Sequence, residues 1–85
     1  MGKICDLTES IRIYINSNDH NPPHFHVYYK DKEALVEIIN FAIIAGSLPN
    51  KIYIDVITWA AKNQVAILEN WELANQNKPV FKISP

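Results

Sequence analysis

Apolar residues fall on alternate positions at Ile11, Ile13 and Ile15, with Arg12, Tyr14 and Asn16 between them. A period of two is the repeat of a strand with one buried face, so residues 11–16 are predicted as a strand. Residues 17–23 (Ser-Asn-Asp-His-Asn-Pro-Pro) are polar and rich in turn formers, and they predict a loop. Alternation resumes from His24 to Tyr29, with Phe25, Val27 and Tyr29 opposite His24, His26 and Tyr28. After a short turn at 30–32, Ala34, Val36 and Ile38 face one way and Leu35, Glu37 and Ile39 the other. Three strands with short connections predict an antiparallel meander.

The period changes after the break at Gly46-Ser47-Leu48-Pro49-Asn50. Apolar residues at Ile52, Val56, Trp59 or Ala60, Ile67, Trp71 and Ala74 recur at helical spacing. Ser47 or Asn50 is placed to cap this helix, and Pro49 suits its first turn. Asn63 sits where the stripe calls for an apolar residue, which predicts a break into two helices. Asn77-Lys78-Pro79 ends the helical stretch, and residues 80–83 alternate enough to predict a short last strand. Trp59 and Trp71 read as core. The fold class is therefore α+β. It is a small antiparallel sheet, a three-stranded meander plus a short C-terminal strand, covered on one face by one or two helices. Eighty-five residues make one domain, 1–85.

The phase of the strands has a chemical consequence. If the isoleucine side faces the core, then Arg12, Tyr14, His24, His26, Tyr28 and Glu37 share the other face and form a polar, titratable surface. Pro22 and Pro23 hold the chain extended before it, a rigid strand entry in preference to a functional cis peptide. All three histidines, His20, His24 and His26, lie within seven residues of one another.

Composition narrows the classes. With 48% hydrophobic and 20% charged residues, this is the make-up of a globular chain. The longest apolar run, Phe41-Ala42-Ile43-Ile44-Ala45, falls far short of the ~20 residues of a membrane helix and reads as buried strand or turn. No apolar stretch follows Met1–Cys5, so no signal peptide is expected. The single Cys5 reads as a small buried hydrophobe in a reducing, cytoplasmic setting. A net charge of −1, without a basic half, speaks against duplex DNA as a partner alone and leaves room for RNA in a local pocket.

Three chemistries suit the histidine segment. As acid and base, His24 and His26 would act on RNA, with Arg12 clamping the phosphate and Tyr28 or Tyr14 beside them. As metal ligands, His24 and His26 at i, i+2 on a strand would combine with His20 or Asp19 from the loop to bind zinc or another transition metal. As a recognition surface, His20, Asp19, Asn21, Tyr14 and Glu37 would join them in contacting a partner. The plainest reading is a solvated face, with Asp19 and His20 bonded to the turn backbone. An open sheet edge also admits a homodimer.

The run Asp19-His20-Asn21-Pro22-Pro23-His24-Phe25-His26, then Gly46-Ser47-Leu48-Pro49 and Asn70-Trp71-Glu72, resembles a family of small bacterial proteins catalogued as a domain of unknown function. The likeness runs from about Thr8 to Pro85. Such proteins are often encoded beside an antitoxin-like or regulatory neighbour. The resemblance therefore implies a member of a toxin–antitoxin-like pair that binds the product of an adjacent gene. A toxin-like ribonuclease and a metal-binding domain are the alternatives. Residues 40–45 depart from the family pattern in being more apolar than the expected Asp/Gly turn, which marks an interface or a longer buried strand.

Overall fold

The alternating isoleucines build a strand in which all three are buried, Arg12 is exposed and Tyr14 is half-buried. The computed structural model describes residues 2–85 and arranges them as five strands followed by two helices. Strand β1 spans Gly2–Asp6, β2 Ile11–Ile15, β3 His24–Tyr29, β4 Lys32–Glu37 and β5 Ile43–Gly46; α1 spans Asn50–Lys62 and α2 Gln64–Asn75. The strands pair antiparallel in chain order, from β1 to β5. Phe25, Val27, Val36 and the β2 isoleucines pack with Val56, Trp59, Ala60, Ile67, Trp71 and Ala74 from the helices. The fold is α+β, as the change of period predicts. No helix among the described residues is long and apolar enough to cross a membrane.

The expected meander is the centre of a wider sheet. At β1 a register shift between Lys3 and Cys5 buries Ile4 and Cys5 in succession, and this removes the alternation that would reveal the strand. At the other edge, residues 43–46 do form a strand, but Ile44 is 42% exposed, so the apolar run is not buried. Gly46 has φ +75, and a Cβ there would collide with the Glu33 backbone oxygen. Only glycine lets β5 lie this close to β4.

The expected C-terminal strand does not form. Residues 79–85 run extended without a ladder, because side chains take their backbone groups. The Asn70 amide accepts from Phe81 N–H at 2.8 Å and donates to its carbonyl at 3.0 Å. Trp59 Nε1 donates to Ser84 O at 2.8 Å, and only Ile83 N–H reaches the free edge of β1, at Ile4 O.

The helical stretch breaks at Asn63, whose side chain turns back to donate to Trp59 O at 2.8 Å. Pro49 occupies the cap position of α1 rather than its first turn. Neither Ser47 nor Asn50 supplies a capping side chain.

Asn70 is fully buried, and removing its amide leaves both Phe81 backbone groups without their partner. Asn70→Ala is expected to lower the unfolding free energy by about 2 kcal/mol and free the C-terminal segment. Denaturant titration measures the first and hydrogen exchange at Phe81 the second. A loss below about 0.5 kcal/mol would contradict this account.

Candidate functional site

The polar face of β3 begins where the loop after β2 returns. Residues 17–23 carry the chain out of β2, and the Asn21-Pro22 peptide is cis. The loop is pinned by Asn18 Nδ2, which donates to Asn77 Oδ1 at 3.1 Å just past α2. Both asparagines take positive φ, 55 and 58, a conformation their short side chains tolerate. Asp19 is thereby turned onto β3, above His24 and His26.

The two imidazoles project together on the face opposite Phe25 and Val27, with ring centroids 5.2 Å apart. They are not solvated: His24 is 4% exposed and His26 7%. Trp71 closes over His24 at 5.3 Å, and the Asp19 loop caps both rings. This corrects the expectation of an open titratable face. The cause is the loop, which folds back over the strand that it leads into.

One oxygen organises the cluster. Asp19 Oδ2 stands 3.0 Å from His24 Nε2 and 2.9 Å from His26 Nε2. The opposite ring nitrogens have acceptors of their own: His24 Nδ1 lies 2.8 Å from Pro22 O and His26 Nδ1 3.2 Å from Glu33 Oε2. A carbonyl only accepts, so His24 Nδ1 carries a proton. Its Nε2 then either donates to Asp19 as an imidazolium or presents a lone pair. Carboxylate and imidazole atoms of Asp19, His24 and His26 all lie within 4.8 Å of one another. Burial alone would raise the Asp19 carboxyl. The hydrogen bond from His26, the charge of His24, the His20 N–H and the charge of His26 together outweigh it and hold the group below its ordinary value.

The surrounding residues divide clearly. His20 is exposed and contributes only its backbone N–H, to Asp19 Oδ1 at 3.2 Å, so it stands outside the cluster of Asp19, His24 and His26, in which Asp19 takes the loop position. Asn21 is exposed and borders, with Asp19, a cleft shared with Trp71, Glu72, Asn75 and Gln76. Tyr14 pairs across the strands with His26, and Glu37 with His24. Arg12 is opposite Tyr28, two residues along β3 from His26 and so about 7 Å of strand away. Tyr28 meets Tyr14 edge-to-face at 5.3 Å. Its hydroxyl is pushed up first by burial and then by Glu33 as hydrogen-bond partner and charge, with Tyr14 adding and Arg12 opposing.

Two contributors escaped the sequence reading. Asn16 continues the outward phase of β2, and its Nδ2 lies 3.0 Å from His26 Nε2. Glu33 shares a face with Leu35 and Glu37, but a strand begun at residue 34 leaves it out.

A family model described as Domain of unknown function (DUF4160) matches residues 10–72, which include Asn16, Asp19, His24, His26 and Glu33. Neither the curated proteins nor the solved structures yield a match to this chain.

The depressed Asp19 carboxyl ties stability to pH. Its contribution is complete above the ordinary value of 3.8 and is lost as pH falls through that value towards the lowered one. In metal-free protein, Asp19→Asn should therefore be less stable than the parent near pH 6, with the gap closing in strong acid. Urea midpoints across that range measure it; a gap that widens on acidification would contradict the assignment.

Proposed function

The chain belongs to the family Domain of unknown function (DUF4160), and we propose that it is a metal-binding domain taking one zinc-class divalent ion on Asp19, His24 and His26. The observation that carries this reading is the pair of second partners on the rings. Metal-ligating histidines typically donate the far N–H to a backbone carbonyl or a carboxylate, which fixes the tautomer and aims the lone pair. His24 does so to Pro22 O and His26 to Glu33, leaving both Nε2 atoms aimed at one carboxylate oxygen. Atoms bound about 2.0–2.1 Å from a tetrahedral ion stand about 3.3 Å apart, so the two Asp19–imidazole separations, 3.0 and 2.9 Å, need only a slight opening, and the ligand nitrogens of the two rings lie within 4.8 Å of each other. Two neutral imidazoles and a carboxylate suit zinc, or another borderline ion, better than calcium or magnesium.

Acid–base catalysis on RNA by the same residues ranks behind. It needs a ring nitrogen open to a phosphodiester, while Asp19 covers both Nε2 atoms and Arg12 stands apart. A second reading has an observation of its own. The outer edge, Ile43–Gly46, is exposed from Ile44 onward, and residues 41–49 contain no charge. Sheet edges are usually guarded by charges or proline, so an unguarded one suits strand addition by a protein partner. That partner is the second member of a toxin–antitoxin-like pair, in a cytoplasm that keeps the buried Cys5 a free thiol.

Purified protein is expected to bind one equivalent of zinc, and zinc at 100 times Kd should add about 2.7 kcal/mol of stability. His24→Ala, His26→Ala and Asp19→Ala should each abolish stoichiometric binding, and Glu33→Gln should weaken it about 10-fold. Calorimetry on chelator-treated protein measures both. Absence of binding at micromolar zinc, or unchanged binding in the three variants, would overturn the reading. For the edge, a complex with the product of the neighbouring gene should form on co-expression and be lost in Ile44→Lys. Survival of the complex in that variant would remove β5 as the contact.

A further inference from the structure

The nitrogen His26 Nε2 is oversubscribed. Asp19 Oδ2 lies 2.9 Å from it and Asn16 Nδ2 3.0 Å. A ring nitrogen has one in-plane position: protonated, it donates, and unprotonated, it accepts. It cannot donate to Asp19 and accept from Asn16 at once. The other end of the same amide, Asn16 Oδ1, is buried with no hydrogen-bond partner. Leaving such an atom unsatisfied costs about 1–3 kcal/mol, so its presence beside a ligand cluster calls for a cause.

A half-turn about the last side-chain bond of Asn16 removes the conflict. Terminal amide torsions are broad and roughly two-fold, so the turn exchanges Oδ1 and Nδ2 without rebuilding the backbone. The oxygen then stands about where Nδ2 is, about 3.0 Å from His26 Nε2, itself one of the atoms that converge with Asp19 and His24. Resting on the metal reading above, we infer that Asn16 supplies the fourth ligand through Oδ1, making an N2O2 centre. Asn16 and Asp19 flank the exit from β2, and His24 and His26 open β3, so the ion staples both ends of the connection 16–23 to the sheet. Four protein ligands leave no position for water or substrate, as in structural rather than catalytic zinc sites. The centre then fixes the exposed loop and performs no hydrolysis itself.

The test uses cobalt(II) in place of zinc, because its visible absorption reports coordination number and ligand exchange. The full chain loaded with one equivalent of cobalt should give an intense four-coordinate spectrum that azide does not change. In Asn16→Leu, a shape-similar residue without a donor, the vacated position should admit azide and shift the spectrum. Asn16→Asp, with an oxygen restored, should again be indifferent to azide and should bind zinc at least as tightly as the parent. An azide response in the parent, or identical spectra in the parent and Asn16→Leu, would overturn the fourth-ligand assignment while leaving three-residue metal binding intact. If the parent takes up neither cobalt nor zinc, both fall together.

Discussion

The sharing of one Asp19 oxygen between the Nε2 atoms of His24 and His26 is the contact around which this end of the molecule is arranged. A lone carboxylate at the mouth of a sheet would keep its water, and without it the buried His24 Nε2 would have no polar partner, facing His26 and Trp71. Bringing the three together gives each a polar partner while both imidazoles leave solvent. The loop must then fold back over β3, and the bond between Asn18 and Asn77 past α2 shows it held there. Sheet, loop and second helix therefore meet at this cluster.

The arrangement also explains why the polar face is chemically divided. Near the loop it is closed: His24 and His26 are buried under Asp19, with Asn16 and Glu33 on their flanks. Towards the far end of β2 and β3 it opens, and Arg12, Tyr14 and Tyr28 remain exposed or half-buried. Glu33 links the two regions, bonded to His26 and raising the Tyr28 hydroxyl. The closed end gathers two imidazoles and a carboxylate, with a further partner on each ring. The open end has Arg12, opposite Tyr28 and two residues along β3 from His26, and Lys3, opposite Tyr14.

Much of this was legible in the residues. Strict alternation in residues 11–15 and 24–29 fixed both strands and the phase that sets His24 and His26 together, because a slip of one residue would have buried the wrong face. The intrusion of Asn63 into an apolar stripe marked the helix break. The edges were not legible: the bulge at Lys3/Cys5 hides β1, and β5 is an exposed strand made of residues that read as interior. Residues 80–83 alternate like a strand, yet the buried Asn70 takes the backbone groups that a ladder would need. Within the site, Asp19 and the two histidines stood out by residue type. Glu33 and Asn16 did not, since their roles depend on cross-strand register and on where the loop lands.

The central claim, that the two Nε2 atoms present lone pairs to one ion, is most directly tested by long-range 1H–15N correlation of the histidine rings with one equivalent of zinc. The account predicts that His24 and His26 each keep the proton on Nδ1, with Nε2 shifted to the position of a metal-bound nitrogen, while exposed His20 is unchanged. Rings that still carry a proton on Nε2 in the presence of excess zinc would contradict it.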